Sequence, residues 1–343
     1  AIEPSLYSPR AALAEIELGR GHFARRRDEL ARLVRENPER GWLQCQLMHA
    51  LMLTGQPDEA RAMEAGVYVH HPDLRRVKWV WPDIDLLYGR VGNGIRRYRE
   101  VYRHDPDDKS YPLNVAIGLV WLGETAASKR ALADAGFLDT PAYLVSHTWW
   151  FHALGDPDGA VAWLRGAKMS PSLSLLQHAL LAQSLGLAGK REAALVEYAR
   201  IYEGGFEDED PAVSKGFFIH SAQLLNYASL LEPGAQRTAL VDAAERHLAK
   251  MRADGLGLPW IHYQAAQIAL MRDDRATAMT ALDRALDAGY TDVLSFSRDL
   301  PWRALDDDPA FAQRRARLAK YAQQQIRIAM EAEGGDGATV VAR

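Results

Sequence analysis

The sequence predicts an all-α chain of paired helices stacked into a solenoid, and three observations carry that reading. Gly21, Gly55, Gly89 and Gly123 stand 34 residues apart, Gly155 follows after 32, and Gly189 after another 34. Pro38, Pro72 and Pro106 each fall 17 residues past one of these glycines. Small and bulky residues then recur at fixed offsets from the glycine. A period of 34 is the length of a helix–turn–helix unit, which cannot bury its apolar face alone and so stacks on its neighbours.

Each element of the unit has a physical reason. The glycine sits in the turn, where it reverses the chain without a Cβ penalty. Five residues on comes a small side chain (Ala60, Gly94, Ser128, Ala160, Ala194), as a close helix crossing requires. Nine residues on comes a bulky one (Leu30, Tyr98, Leu132, Leu164, Tyr198), with Glu64 breaking the apolar set. Twelve residues on stand Leu33, Val67, Val101, Ala135, Ala167 and Ile201. These offsets share one helical face. Asn37-Pro38, His71-Pro72 and Asp105-Pro106 end units, because the residue before proline is pushed out of the α region. Residues 55–60 and 155–160 read as helix starts, with proline and acidic groups in the first turn. In the second half Asp273 takes the glycine position, followed by Ala278, Leu282 and Ala285. Ala239 takes it one unit earlier, followed by Ala244, Leu248 and Met251. About 16 residues are then inserted between Gly189 and Ala239, and the acidic, glycine-flanked stretch 204–211 is the candidate.

In this order of glycine, small residue, aromatic and terminal proline, the chain resembles a tetratricopeptide repeat protein over residues 9 to 290. The resemblance implies a right-handed superhelix of about eight hairpins. Arg26 and Glu64 depart from the pattern, and Trp81-Pro82 puts a proline inside a helix, where a kink is expected. The expected organisation is an array over 1–290 with an insertion near 204–219, capping helices over 291–330, and a flexible tail over 331–343. Because solenoid contacts run between neighbours, damage at one end is not expected to unfold the other.

Composition narrows the function classes. With 48% hydrophobic and 25% charged residues and a net charge of −4, nothing drives the chain toward nucleic acid, and no direct nucleic-acid binding is expected. The run Arg25-Arg26-Arg27 reads as a solvated helix face. Cys45 is the single cysteine, which excludes an internal disulfide or a thiolate zinc site. No apolar stretch is long enough to span a bilayer, and a cytoplasmic location is expected. The chain begins at Ala1, so an upstream signal, membrane segment or whole domain is compatible with it, and a periplasmic location would then follow.

In tetratricopeptide arrays the first helix of each unit lines the concave surface, and the resemblance carries that role to particular residues. They are Trp42, Cys45, His49 and Met52; Arg76, Trp79, Asp83 and Leu86; Leu113, Ile117 and Trp121; Val145, Trp149 and His152; and Trp260, Tyr263 and Gln267. From these, the expected binding groove is formed by Trp42, His49, Arg76, Trp79, Asp83, Trp121, Trp149, His152, Trp260 and Tyr263. Aromatic side chains with a few polar partners suit a protein or peptide partner or a small ligand. Relatives that clamp a terminal carboxylate line the groove with Lys, Asn and Arg. Here Arg76 is the one such cation, so a carboxylate clamp is not expected.

No catalytic residue, metal or cofactor is expected. His70 and His71 are adjacent, and His147 and His152 are five apart, a poor spacing for one helical face. Residues 89–94 carry their glycines as a turn, not as a phosphate loop after a strand. Asp83 and Asp85 are the most enzyme-like pair, but two carboxylates on one helix more often cap or solvate than catalyse.

The end of the chain carries a second resemblance. Residues 288–292, 300–305 and 308–311 look like the closing segment of repeat arrays in bacterial regulators, where the array follows a winged-helix or cyclase domain. Leu300, Trp302, Leu305 and Phe311 would cover the open end of the stack. The leading functional expectation is the sensory or regulatory part of a bacterial regulator. The alternatives are a free-standing assembly scaffold or adaptor, and an enzyme built on a helical-repeat fold.

Overall fold

The computed structural model describes residues 9–70, 75–202 and 217–331. The candidate insertion at 204–211, His71-Pro72 and the tail beyond 331 lie outside the described residues. Those described are helical with no strand, and they form eight antiparallel hairpins. The pairs are α1 (Pro9–Gly19) with α2 (Phe23–Glu36), α3 (Gly41–Leu53) with α4 (Pro57–His70), α5 (Arg75–Leu87) with α6 (Val91–His104), and α7 (Ser110–Trp121) with α8 (Thr125–Ala135). They continue as α9 (Pro141–Ala153) with α10 (Pro157–Gly166), α11 (Ser174–Leu187) with α12 (Arg191–Ile201), α13 (Phe217–Ser229) with α14 (Ala235–Ala253), and α15 (Trp260–Met271) with α16 (Arg275–Asp287). No helix among the described residues is long and apolar enough to cross a membrane.

The turns follow the 34-residue register. Gly21, Gly55, Gly89, Gly123, Gly155 and Gly189 all have φ between 68° and 86°, a region that a Cβ disfavours. Asp273 takes the same conformation at φ 61°. The small residues at the crossings are shut away: Ala60, Ser128, Ala160, Ala194 and Ala278 have no exposed surface. Asp156 caps α10 by accepting from Gly159 N at 2.8 Å, with Pro157 in the first turn. Pro82 sits inside α5, which runs unbroken from 75 to 87.

Three sequence readings need correction. Ala239 is not a turn: it lies inside α14, whose hairpin turns at 230–234. Elsewhere the second helix begins two residues after the turn residue, which would be 241 here. It begins at 235, so six of the extra residues lengthen α14. Nor are Gly92 and Gly94 turn residues. Both lie in α6, where Gly94 lets α5 approach and Gly92 lets a distant helix approach. Finally, the basic run is not simply solvated. Arg25 is exposed, but Arg26 is 1% exposed and its Nη2 donates to Gln46 Oε1 at 2.5 Å.

The largest departure is that the array closes on itself. After α16 the chain forms the short α17 (Ser295–Arg298), a 3-10 turn (Leu300–Leu305) and the long α18 (Pro309–Met330). Leu300, Trp302, Leu305 and Phe311 are buried, and the last three pack with Tyr263 and Leu282 of the eighth hairpin. The same segment also reaches first helices across the coil. Val293 N donates to Trp121 O at 2.9 Å, Leu300 N to Asn226 Oδ1 at 2.9 Å, and Arg303 Nη2 to Leu187 O at 2.9 Å. The helix α18 then lies on α6, where Gln325 accepts from Gly92 N at 3.0 Å and Ala329 O accepts from Arg99 at 2.7 Å. Gly257 N donates to Leu53 O at 2.8 Å, and Ala24 N to Asp254 O at 2.8 Å. One apolar core accordingly joins Leu30, Met48 and Ile84 to Leu224, Leu240 and Leu248 from the far hairpins.

This closure overturns the expectation that one end unfolds without the other, because contacts now join hairpins far apart in sequence. A Cβ on Gly92 would stand 2.3 Å from Gln325 O. Gly92→Ala should therefore lift α18 off α6, cost roughly 1–3 kcal/mol in denaturant unfolding, and speed amide exchange along α18. Ala194→Leu, at a fully buried crossing, should lower stability by a similar roughly 1–3 kcal/mol through overpacking. An unchanged midpoint in that variant would contradict the crossing.

Candidate functional site

The closed coil surrounds a cavity of about 260 Å³. Leu86 of α5, Trp121 of α7, Trp149 of α9 and Leu180 of α11 form one side. Gln223 of α13, Trp260 and Tyr263 of α15, and Tyr290, Asp292, Arg298 and Asp299 of the returning segment form the other. The first helices of six consecutive hairpins therefore contribute, as inner helices of a repeat coil should. What bounds the space beyond these helices is the segment from 290 to 299.

Its polar centre is Arg298, 6% exposed. The guanidinium donates through Nε to Asp299 Oδ1 at 3.0 Å and pairs through Nη2 with Asp292 Oδ2 at 2.9 Å. The ring of Trp149 lies against it, with its centroid 4.1 Å away. Burial opposes the charge on Arg298, but the two carboxylates outweigh it and raise its pKa. Asp299 is held from three directions. It accepts from Tyr263 Oη at 2.8 Å, from Gln267 Nε2 at 3.1 Å and from Gln183 Nε2 at 3.4 Å. Trp302 Nε1 in turn donates to Tyr263 Oη at 2.6 Å. Burial pushes the Asp292 carboxyl up, against the pull of Arg298. Its Oδ1 accepts from Ser295 N at 3.2 Å.

The residues expected in the groove separate into three groups. Trp121, Trp149, Trp260 and Tyr263 line the cavity, and Gln267 stands behind it on Asp299. The side chains of Arg76 and Trp79 lie outside the described residues. The others do not reach the cavity. Trp42 packs, half-buried, against the apolar core of the first hairpins. His49 stands 3.3 Å from Arg26 Nη1, and burial together with that charge pushes its pKa down to about 3. Asp83 accepts from Tyr98 Oη. The reason is geometric: on a helix packed on both sides, side chains next to the inner face are taken up by neighbouring helices. The charged groups at the chamber are Arg298, Asp292 and Asp299, and Asp83 is not among them. The clue in the sequence was three charged residues inside the segment from Tyr290 to Trp302, whose aromatic and aliphatic residues must be buried to close the stack. Charge in a stretch that must be buried signals a paired site.

Two arrangements with catalytic residue types turn out to be structural. His152 Nε2 lies 2.9 Å from Ser184 Oγ, but that hydroxyl donates to Leu180 O at 2.7 Å. The histidine must therefore donate to the serine, the wrong direction for activating a nucleophile. Burial, then the charge of Arg298, pushes its pKa down to about 3. Asp85 faces Arg97, Arg90 and Arg61 at 3.5–3.7 Å, while Asp83 faces Tyr98, so the two carboxylates do not act as a pair.

The fold and cavity define the class as a tetratricopeptide-like repeat protein whose coil surrounds a small, partly open aromatic chamber. A family model described as the bacterial transcriptional activator domain matches residues 4–64, at the opposite end from the segment that resembles bacterial regulators. No curated protein matches the chain. Among solved structures, a tetratricopeptide repeat protein from Parabacteroides merdae ATCC 43184 is 11% identical, with 85% of this chain and 97% of that chain covered at a TM-score of 0.44. The APC/C hetero-tetramer Cut9-Hcn1 is 17% identical, with 85% of this chain and 54% of that chain covered at a TM-score of 0.46. The P58(IPK) TPR domain is 12% identical, with 93% and 98% covered at a TM-score of 0.25. Together with the hairpin array itself, the family match supports a repeat-based binding or regulatory role.

Asp83 makes a pH prediction. Burial raises its pKa to about 7, against the lowering effect of Tyr98. Unfolded, its pKa is about 3.9. The native state thus binds the proton more tightly, so the stability associated with neutral Asp83 is complete below about pH 4 and is lost as pH rises to about 7. Asp83→Asn should flatten stability across that window and raise it at pH 8 by on the order of 2–4 kcal/mol. Denaturant unfolding at pH 5 and pH 8 on both proteins measures this; an equal pH slope in the variant would refute it.

Proposed function

We propose that this chain is the sensory, regulatory part of a bacterial regulator and that its ligand is a small molecule held in the chamber. The observation that carries the reading is the aromatic cavity of about 260 Å³ built around a buried, ion-paired arginine. An apolar cavity of about 150 Å³ suffices for benzene, so this one admits a two-ring compound. Convergent aromatic walls with a few polar groups are the chemistry of a small-molecule site. A peptide groove is less well supported, because the returning segment occupies the inner face that a peptide would need. The walls come from six hairpins and the C-terminal segment together. A bound ligand would therefore favour the closed coil over any opened form in proportion to its differential affinity.

A second reading, an assembly scaffold, has its own observation. On the fifth hairpin Phe137, Tyr143, His147, Trp163 and Phe151 form a continuous aromatic row. His147 stacks on Trp163 at 5.0 Å, and Phe137 is 62% exposed. A half-buried row of this kind with an exposed end suits a protein partner.

Naphthalene tests the first reading. It should bind the wild-type chain by saturation-transfer NMR and raise its melting temperature, and neither effect should persist in Ala222→Phe, which projects a ring into the chamber. The milder Ala222→Leu should weaken binding and serves if the larger change unfolds the chain. No binding to wild type, or equal binding to folded variants, would overturn the reading.

A further inference from the structure

The chamber wall carries a polarity that its apolar character hides. Arg298 spends Nε on Asp299 and Nη2 on Asp292, and its Nη1 is buried without a hydrogen-bond partner. Trp121 reaches the chamber from α7, and its Nε1–H is likewise buried and unmatched. Among the described residues, no acceptor on the wall is in that state. Gln183 and Gln223 are satisfied by each other and by their neighbours: Gln223 Nε2 donates to Gln183 Oε1 at 3.4 Å, and Tyr198 Oη donates to Gln223 Oε1 at 2.8 Å. Buried donors without acceptors are uncommon in folded proteins, and each carries the full cost of its desolvation. Two of them on residues that face each other across the chamber suit a ligand that brings oxygen acceptors.

Charge decides what kind of acceptor. The buried guanidinium already faces two carboxylates at about 3 Å, so the cluster holds one cationic group and two acidic ones. A ligand carboxylate would add a third acidic group beside the two already buried there, where like charges repel strongly. An ammonium group would answer the excess of acid but would bring more donors to unmatched donors. A neutral carbonyl oxygen satisfies both conditions.

Resting on the reading of the chamber as a small-molecule site, we infer that it takes a neutral, ring-containing molecule with carbonyl-type oxygens, of the amide, ketone or lactone kind, which accept from Arg298 and Trp121. The rings lie among Trp121, Trp260 and Leu180, since Trp149 is already stacked on Arg298. Both donor nitrogens are covered by neighbouring side chains. An acceptor therefore meets them after a side-chain shift, in which the Trp149 ring over the guanidinium must turn.

The test uses the full chain and four probes of one shape: naphthalene, 1-naphthaleneacetamide, 1-naphthaleneacetate and 1-naphthylmethylamine, each titrated by calorimetry. The amide should bind about tenfold or more tighter than naphthalene, the acetate or the amine. Trp121→Phe removes one donor and keeps the ring. Because Trp121 is also part of the ring-binding wall, the change should weaken naphthalene somewhat and the amide about fivefold more than naphthalene. Arg298→Lys keeps the charge and should likewise erase the amide's advantage, provided circular dichroism shows it folded. If naphthalene binds but the amide gains nothing over it, or if the acetate or amine binds as tightly as the amide, the acceptor inference falls while the chamber remains a ligand site. An amide advantage unchanged in Trp121→Phe would also overturn it. If none of the four binds, the small-molecule reading itself falls.

Discussion

A guanidinium taken out of water must find carboxylates, and the closed form of this protein is arranged around that requirement. Arg298 draws Asp292 and Asp299 to itself, and Asp299 is fixed in turn by Tyr263 and Gln267 of α15 and by Gln183 of α11. One carboxylate thereby ties the returning segment to the sixth and eighth hairpins at once. Removing one member would leave a buried charge without its counterion, a far larger loss than a surface pair would show. The cluster fixes the position of the segment, and with it one side of the chamber.

Closure also changes how the array behaves as a repeat protein. An open solenoid is stabilised by neighbours alone, and its ends are energetically independent. Here the second and third hairpins meet the loops flanking the eighth through pairs of glycines, Gly55 with Gly257 and Gly89 with Gly289, where the backbones nearly touch. The helix α18 adds a contact with α6 that no neighbour could supply. The far ends of the chain are thus coupled through backbone hydrogen bonds and a shared core. A molecule filling the centre would act on all of them together. The proposed sensory role rests on this: the site and the closure share the same residues.

The arrangements of catalytic residue types beside the chamber are structural. The serine–histidine pair is oriented so that the histidine donates, and the two aspartates of α5 point to separate partners. The aromatic and aliphatic walls supply contact area, and the buried cluster supplies orientation. That division of labour is typical of recognition sites, where a few polar groups define the pose and apolar area supplies affinity.

The hairpins were legible in the sequence because their causes are local. A glycine at positive φ, a small residue at a crossing and an apolar residue one helical face away are conditions that each unit must satisfy by itself. They therefore recur with the period of the unit, and even Asp273 could be recognised in the glycine's place. The inward direction of Trp121, Trp149, Trp260 and Tyr263 was legible for the same reason, since first helices face the inside of such a coil. The turn before α14 was misplaced because a helix can lengthen without changing the register of its buried face, so Ala244, Leu248 and Met251 kept their offsets while the helix start moved. Only the tertiary structure decided that the coil closes, that Arg26 is buried, and that Arg298, Asp292 and Asp299 stand at its centre. These depend on contacts made once and without a repeat, from Arg26 with Gln46, 20 positions away, to Gly92 with Gln325, 233 away. A contact that occurs once leaves no period in the sequence, and an arginine reads the same there whether it meets water or two buried carboxylates.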